Sequence, residues 1–495
     1  MNILIVGNGF DLSHYLPTKY DHFMDVMQAI EEKDLGQPIT NVFKSSVDDF
    51  PTFLLKVLQI KKALNGKSYE MNFNELFSKC REKWFIEKTK AMYSTDSILL
   101  NFEKIIEIQY LIKNNVWYQY FAQHVQDVKT WIDFETKINE ALKVVAKFIV
   151  SINLKLDESG VFSHEICFSG NREERQIFLT REQCNVLEKL NILNFGYFID
   201  QEDCDENGHY TVSIDIGDPD QGSLRFYIND QYIQQYSGYG KVNNDKLLNS
   251  LQENLEKFIV IFNLYLELIV SQLSFINPFS IESKDWIYPD KIFSFNYTKT
   301  FQRIHGSVNS EYLHGSHGKS QNIVLGVDEL NDESLKKLKA FGFTKYHQKL
   351  FKDTDYLFLD KYKKKILNQK EQILSAQNRR KGEIRSAYLN TIDSELSELN
   401  KKNKLDLNVC IWGHSLDISD QDYIKDLFSL NDDMDRNVRV TVYYFDKSAK
   451  FSLLNNLLAI LEKDKIEQWM KNKWLVFKPN PEIKFEQQSD LDEAS

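Results

Sequence analysis

The chain has 495 residues, of which 42% are hydrophobic and 27% are charged, and its formal net charge is −11 at pH 7. This composition is that of ordinary globular domains, and it excludes a disordered, collagen-like or low-complexity protein. The excess of acidic residues disfavours non-specific binding to nucleic acid or to anionic lipid.

An odd number of cysteines without paired spacing argues against a disulfide framework and against a Cys-rich zinc site. The cysteines are Cys80, Cys167, Cys184, Cys204 and Cys410. We therefore predict a reduced, cytoplasmic compartment and no metal cofactor. The best candidate for a membrane helix, 258–275, carries Asn263, Glu267 and Gln272. We interpret it as a buried amphipathic helix, because a spanning helix would be more uniformly apolar.

The first predicted element is a buried strand at Asn2–Val6, a short apolar run of the kind found in parallel sheets. Gly7-Asn8-Gly9 follows, and loop and helix are expected from Phe10 to Glu32. A G-x-G turn between a strand and a helix brings backbone N–H groups close to a pyrophosphate. Because Leu12 replaces the third glycine of the usual fingerprint, a purely structural turn is the alternative. Asp11 is expected either to cap the helix or to bond a ribose hydroxyl.

Residues 50–150 are predicted to be largely helical, because apolar side chains recur there with the period of an α-helix. The motif WIDFE at 131–135 lies in this region. Its last residue, Glu135, is open to two interpretations. It is either a surface or capping residue of an amphipathic helix, or a carboxylate that reaches a reaction site and steadies a cation.

Charge density and turn signals rise in the next segment, 155–244. A T-x-x-Q capping box predicts a helix over Thr180–Leu190. Two alternating runs, Tyr210–Ile216 and Leu224–Ile228, predict a β-hairpin. We interpret the segment as a small α+β insertion.

The helical period returns at Leu247–Phe275, and the next buried strand is predicted at Lys291–Phe295. The motif FNYT follows, and its Asn296 is placed to hold a ribose hydroxyl or a water, with a turn-forming Asn as the alternative. The motif YLHG offers His314 as a general base with a pKa near neutrality, against a plain turn residue. His317 is a weaker candidate for the same role.

Residues 330–404 are predicted to be polar helices, and two more buried strands are predicted at Asn408–Trp412 and Asn437–Phe445. The motif GHSLD follows the first of these strands and offers backbone and hydroxyl donors. Asp417 or Asp420 is expected to bond a ribose. The alternative is helix capping, in which Ser419 or Asp420 begins the turn before the next helix.

Buried strands at distant points of the chain, separated by helices, predict an α/β fold with a doubly wound, mostly parallel sheet. A large helical part and the small α+β insertion complete this prediction. Ligands of such sheets bind beyond the carboxyl ends of the strands. We therefore expect the motifs GNG, FNYT, YLHG and GHSL to assemble one site.

The motifs GNGFD with Thr18-Lys19-Tyr20, WIDFE, FNYT, YLHG and GHSLD, in this order, resemble those of the AbiH abortive-infection family of bacterial antiphage proteins. The resemblance extends from Asn2 to Phe445, apart from the insertion. It implies a role in defence against phage.

The same order is similar to that of the wider sirtuin-like (sirtuin/DHS-like) NAD-binding domains, which have a Rossmann-like sheet. This resemblance implies one nucleotide-binding domain with a helical layer over 1–154 and 245–480, followed by an acidic tail at 481–495. It implies that Asn296 holds ribose or water and that His314 is the catalytic histidine. The residues implied to bind the nucleotide are Gly7, Asn8, Gly9, Phe10, Asp11, Thr18, Tyr20, Tyr297, Gly413, His414, Ser415 and Asp417.

Two features depart from the sirtuin-like pattern. The zinc ribbon of two Cys pairs is absent, which argues against a peptide-deacylating sirtuin. Asn8 and Asp11 replace the residues usual in the first loop, so that a nucleotide other than NAD is also compatible with the motifs.

We predict an antiphage effector that hydrolyses NAD to nicotinamide and ADP-ribose during infection, with NAD as substrate, no metal and self-association into a homo-oligomer. The catalytic candidates are Asn296, His314 and Glu135. One alternative is a nucleotide-sensing regulatory module without catalysis. Another is a nucleic-acid-targeting effector, for which the basic runs at 361–364 and 379–381 are either a binding surface or a solvated helix face.

Overall fold

The computed structural model describes residues 1–44, 49–63, 69–124, 131–159, 162–163, 180–196, 213–216, 224–236, 239–283, 286–354, 357–383 and 385–485. Its strands are β1 (Asn2–Val6), β2 (Met71–Asn72), β3 (Tyr93–Ser94), β4 (Leu99–Leu100), β5 (Phe162–Ser163), β6 (Leu193–Gly196), β7 (Ser213–Ile216), β8 (Leu224–Ile228), β9 (Ile233–Tyr236), β10 (Tyr239–Val242), β11 (Ser274–Phe275), β12 (Phe279–Glu282), β13 (Lys291–Ser294), β14 (Asn309–Tyr312), β15 (Leu407–Trp412), β16 (Val438–Tyr444), β17 (Leu475–Pro479) and β18 (Glu482–Phe485).

The α-helices are α1 (Asn8–Ser13), α2 (Tyr20–Glu31), α3 (Gln37–Lys44), α4 (Phe50–Ala63), α5 (Phe73–Leu76), α6 (Lys83–Met92), α7 (Phe102–Lys113), α8 (Val116–Ala122), α9 (Trp131–Ser159), α10 (Arg181–Lys189), α11 (Asn244–Leu268), α12 (Thr300–Ile304), α13 (Glu333–Lys337), α14 (Lys345–Phe351), α15 (Asp360–Gly382), α16 (Ser386–Lys402), α17 (Gln421–Ser429), α18 (Lys447–Ile460) and α19 (Lys463–Lys471). Short 3-10 helices occupy Asp230–Tyr232, Val270–Gln272, Ala340–Phe343 and Ile418–Asp420.

A six-stranded sheet with parallel neighbours throughout lies at the centre, in the order β14-β13-β1-β15-β16-β17. The prediction of a mixed α/β fold with a parallel sheet is confirmed. The four strands predicted from apolar runs correspond to β1, β13, β15 and β16. The sequence did not predict the edge strands β14 and β17.

Side chains alternate between the two faces of the sheet along each strand, and both faces are buried. Ile3 and Ile5 of β1 face a core that includes Val440 and the helices α17 to α19. Leu4 and Val6 face the opposite side, where they pack in a smaller core with Phe10.

A separate helical core is formed by α2, α7, α8, α9 and α11 together with neighbouring segments. Phe134 of α9 lies at its centre, with ring centroids 4.2 Å from Phe121 and 5.3 Å from Phe258. This packing fixes α9 and therefore the position of the adjacent Glu135. The largely helical character predicted for 50–150 is confirmed in the described residues.

The helix predicted over Leu247–Phe275 ends earlier, at Leu268, and a 3-10 turn and β11 follow. The guanidinium of Arg303 donates to the backbone oxygens of Val270, in the 3-10 turn, and Leu273, directly after it. These bonds pair two backbone carbonyl groups of the segment that follows the helix. Among the described helices, none has the length and apolarity needed to cross a membrane.

The described part of the insertion contains the predicted helix and hairpin. Thr180 and Gln183 form the capping box at the start of α10, and β7 pairs antiparallel with β8. Positions 210–212 and 217–223 lie outside the described residues. Cys184 is fully buried in the helical core, so that the insertion packs against this layer.

The segment predicted as an acidic tail, 481–495, begins with a strand. β18 pairs antiparallel with β12, and Phe485 packs on Phe279 with ring centroids 4.6 Å apart. Positions 486–495 lie outside the described residues.

Candidate functional site

Four of the predicted motifs lie at one edge of the sheet. Gly7 follows β1 directly, Asn296 lies two residues after β13, His314 lies two residues after β14, and Gly413 follows β15 directly. Because all these strands are parallel, their carboxyl ends meet at the same edge. The expectation that the motifs come together is therefore met by the topology.

The two glycine loops pack against each other, backbone on backbone. Gly7 donates to Trp412 O at 3.1 Å, and Gly9 donates to Gly413 O at 2.8 Å. A Cβ atom on Gly9 would lie 2.8 Å from Gly413 Cα, and one on Gly7 would lie 2.5 Å from His414 Cα. The structure thus gives these glycines a structural role, and contact with a pyrophosphate stays a prediction.

Asn296 connects the second motif to the first loop. Its Nδ2 donates to Gly7 O at 2.9 Å, and the residue is 6% exposed. Its backbone is fixed by the Ser294 side chain, which bonds both Asn296 N and Asn296 O. Asn296 is therefore more than a turn residue, and its Oδ1 is the amide atom not used to hold the Gly7 loop.

Five buried side chains form a network that we call the His314 cluster: His314, His414, Asp420, Lys345 and Glu135. Asp420 lies at its centre. Its Oδ1 is 3.0 Å from His314 Nε2 and 3.6 Å from Lys345 Nζ, and its Oδ2 is 3.3 Å from His414 Nε2. Lys345 Nζ also lies 2.7 Å from Glu135 Oε1. The surface alternative for Glu135 is wrong, because its side chain is only 11% exposed.

The elements that supply the cluster are far apart in the sequence. Glu135 comes from α9, Lys345 begins α14, and Asp420 ends the 3-10 helix after β15. Asp417 accepts from Ser419 N at 3.0 Å and so caps that 3-10 helix. The local turn therefore directs the Asp420 carboxylate inwards.

Charge and burial set the protonation states of the cluster. Burial alone would raise the pKa of Asp420, but the charge of Lys345 and the His314 imidazole hold it well below its usual range. Burial lowers the pKa of His314 to about 3, against the opposing effect of Asp420. The expectation of a pKa near neutrality for His314 is therefore wrong, because the ring is buried. Burial raises the pKa of Glu135 to about 7, although Lys345 opposes this shift. Near pH 7, Asp420 is therefore ionised and His314 is neutral.

Aromatic rings and a second lysine border the cluster. The ring centroid of Phe295 is 4.0 Å from that of His414 and 5.1 Å from that of His314. Lys349 Nζ contacts the hydroxyl of Tyr423, and burial lowers the pKa of this lysine to about 8. The described residues contain no group of three or more His, Cys, Asp or Glu side chains placed to hold a metal ion.

Asp11 lies on the other face of the sheet edge. It is 1% exposed and lies inside α1, and its Oδ2 accepts from Thr298 Oγ1. The helix-capping alternative is therefore wrong. Its Oδ1 has no hydrogen-bond partner in the described residues, and it lines a small cleft with Thr300, Gln302 and Tyr312. Burial raises its pKa to about 6, while hydrogen bonds from Thr298 and Thr300 act in the opposite direction.

Replacing Asp11 by Asn is expected to stabilise the protein at pH 8 by about 2 kcal/mol. A carboxyl group whose folded pKa exceeds its unfolded value contributes stability below the unfolded pKa, and this contribution is lost as the pH rises through the folded pKa. The loss in wild type therefore falls between about pH 4 and the folded pKa of about 6. Urea unfolding at several pH values measures it. Asp96→Asn, at an exposed site, is the control, and an equal pH profile for Asp11→Asn and wild type would contradict the assignment.

The remaining predicted binding residues are placed outside the His314 cluster. Asn8 Oδ1 accepts from Thr18 Oγ1 at 2.7 Å. Phe10 packs in the core of the sheet, and the ring of Tyr20 packs on Phe134. Tyr297 donates to Val324 O at 3.3 Å. Ser415 is exposed, and Asn456 Nδ2 donates to its backbone oxygen.

A comparison with protein-family models finds a match to bacteriophage abortive infection AbiH, over residues 3–444. The chain belongs to the AbiH family. The AbiH match extends from β1 to the end of β16 and so includes every residue of the His314 cluster. It gives the protein a role in bacteriophage abortive infection. No curated protein and no solved structure matches the chain.

Two residues of the site carry no signal in the sequence, and a third is open to other interpretations there. Lys345 and Lys349 carried no signal, because a lysine in a Lys-rich helical segment normally faces solvent. Asp420 was considered only as a ribose ligand or a capping residue. In the AbiH structure it is the residue that joins both histidines to Lys345.

Proposed function

We propose that this AbiH protein acts in abortive infection by hydrolysing NAD at the nicotinamide–ribose bond. The observation that carries the proposal is a neutral histidine, His314, held 3.0 Å from an ionised carboxylate at the carboxyl edge of the sheet. An unprotonated imidazole at neutral pH can accept a proton as a general base.

The strand order supports a dinucleotide as the substrate. Numbered along the chain within the sheet, the order is 3-2-1-4-5-6, as in doubly wound dinucleotide-binding sheets. The order reverses between β1 and β15, and ligands of such folds bind at the crevice beyond that point. Gly7, Asn296, His314 and His414 follow the carboxyl ends of β1, β13, β14 and β15, at the edge of the sheet that contains this point.

In the proposed reaction, the bond between ribose C1′ and the pyridinium nitrogen breaks, and nicotinamide leaves with the bonding electron pair. A water adds to the oxocarbenium-like C1′, and His314 accepts its proton, which gives ADP-ribose. Asn296 orients the water or the ribose hydroxyls through Oδ1, since its Nδ2 holds Gly7. Glu135 contacts Lys345, which in turn contacts Asp420. In this proposal Glu135 therefore acts on the cationic ribose indirectly, and Asp420 is the carboxylate beside the catalytic histidine.

The cluster is closed in this structure, because His314, His414 and Asp420 are 6%, 7% and 8% exposed. Substrate access therefore requires a movement at this edge, which suits an effector that is inactive until infection. Self-association of the chain stays a prediction.

A non-catalytic nucleotide sensor is the second candidate. It is favoured over a nucleic-acid effector because the charged side chains of the His314 cluster are buried and contact one another. The basic run near the end of α15 is neutralised within its helical hairpin, since Arg379 pairs with Glu395 and Arg380 pairs with Asp393. These contacts support the interpretation of this run as a solvated helix face.

The test is to measure NAD and free nicotinamide in cells that express wild type or His314→Ala, before and during phage infection. We expect NAD to fall and nicotinamide to accumulate only with wild type. The turnover of NAD by His314→Ala should be lower by a factor of at least about 100, which is what a general base contributes. His347→Ala, at an exposed histidine, should behave as wild type. Protection of the culture by wild type without loss of NAD would contradict the proposal, and protection by His314→Ala would favour the sensor.

A further inference from the structure

Asp420 contacts two imidazoles and one ammonium group at the same time. Oδ1 faces His314 Nε2 and Lys345 Nζ, and Oδ2 faces His414 Nε2. All four side chains are less than one tenth exposed, so that water screens these contacts little. The arrangement constrains which ring nitrogens of the two histidines carry protons.

The tautomer of His414 follows from a backbone contact. Leu416 N–H donates to His414 Nδ1 at 2.9 Å, which requires a lone pair on that nitrogen. The ring proton is therefore on Nε2, the nitrogen 3.3 Å from Asp420 Oδ2. The partly positive Nε2–H group of His414 therefore lies next to Oδ2 of the Asp420 carboxylate.

The same electrostatic reasoning applies to His314. Its Nε2 lies 3.0 Å from Asp420 Oδ1, an ion-pair contact outside hydrogen-bond geometry. A lone pair at this distance from an ionised oxygen would still be repelled. A proton on Nε2 converts the repulsion into attraction, which leaves the lone pair on Nδ1. The rings of Phe295 and Tyr423, with centroids 5.1 and 6.4 Å from that of His314, restrict the imidazole.

We infer that Asp420 is a positioning residue that fixes His314 as the Nε2–H tautomer, so that Nδ1 is the atom that accepts the proton in the reaction. This inference rests on the proposed function for the identity of the reaction, but the tautomer itself is a property of the free protein. Lys345 supports the role, because it keeps Asp420 ionised while Glu135 pairs with the other side of its ammonium group.

The tautomer is tested on the full-length wild-type protein by NMR with ¹⁵N-labelled histidine. The signal of His314 among the 10 histidines is identified by its loss in His314→Gln. We expect a protonated Nε2 and an unprotonated Nδ1 from about pH 8 to about pH 5. A protonated Nδ1, or an imidazolium in this range, would overturn the inference without any assay of activity.

Asp420→Asn tests the consequence for the reaction. We expect the Nε2–H tautomer to lose its dominance in the NMR spectrum, and kcat for NAD hydrolysis to fall about 100- to 10,000-fold with little change in KM. Asp420→Glu, which keeps the charge, should retain the tautomer in part, and Asp422→Asn, at an exposed site on the next turn, should match wild type. An unchanged tautomer and kcat in Asp420→Asn would overturn the positioning role. Absence of NAD hydrolysis in wild type would count against the proposed function, while the NMR result still decides the tautomer.

Discussion

Replacing Lys345 by Met is expected to lower the free energy of unfolding by about 3–5 kcal/mol. Lys345 is 3% exposed and lies 2.7 Å from Glu135 Oε1 and 3.6 Å from Asp420 Oδ1. Without its charge, two buried carboxyl groups lose their shared cation. Breaking a buried charge pair is costly because the remaining partner stays desolvated. Urea unfolding of the variant at pH 8, against Lys361→Met at an exposed site, measures the effect.

The pH dependence of this loss has a definite sign. Burial already raises the pKa of Glu135 to about 7 in wild type, and removal of Lys345 raises it further. Removal of Lys345 also raises the pKa of Asp420, which this lysine helps to hold below its usual range. Stability that depends on a raised carboxyl pKa is recovered as the pH falls through that pKa. The difference between Lys345→Met and wild type should therefore shrink as the pH falls from the raised pKa of Glu135 in the variant to about 7, below which Glu135 is protonated in both proteins.

A second substitution separates the charge effect from the loss of packing. Glu135→Gln removes one of the two uncompensated charges, so that Lys345→Met/Glu135→Gln should recover part of the loss, about 1–2 kcal/mol. A loss below about 1 kcal/mol in Lys345→Met, or no recovery in the double variant, would show that the Lys345 contacts contribute little to stability.

The sequence predicted the strands that are buried on both faces and not those at the edges. β1 has a continuous apolar run at 3–6, β13 and β15 are buried at most positions, and β16 alternates between buried valines and half-buried polar residues before its two tyrosines. β14 has the sequence Asn-Ser-Glu-Tyr, and none of its residues is fully buried. An edge strand of this kind has no hydrophobic pattern to detect, although its end places His314.

The motifs predicted which loops meet, but not how their side chains pair. His314, His414 and Glu135 were candidates because they lie in short motifs of reactive residue types. Lys345 lies in a segment rich in surface lysines, and only the three-dimensional position of α14 shows that it is buried between two carboxyl groups. A long-range pair of this kind leaves no signal in the local composition of either segment.

The second large effect is expected at Gly413, which lies where the two glycine loops are in contact. Its φ is +72°, which L-amino acids adopt at a cost of about 1–2 kcal/mol. A Cβ atom there would lie 2.1 Å from Phe10 N and 2.4 Å from Gly9 C, so the loops would have to separate. Gly413→Ala should therefore lower the free energy of unfolding by more than about 3 kcal/mol.

Gly382→Ala is the matched control, because Gly382 ends α15 and a Cβ atom there would have no neighbour within 4 Å. This control should be neutral or gain up to about 1 kcal/mol, since Ala favours helix over Gly. Thermal and urea unfolding of both variants measure the difference. If Gly413→Ala were as stable as Gly382→Ala, the first and last motifs would not be in backbone contact. The glycines of GNG would then be free to face a nucleotide, as the sequence alone suggests.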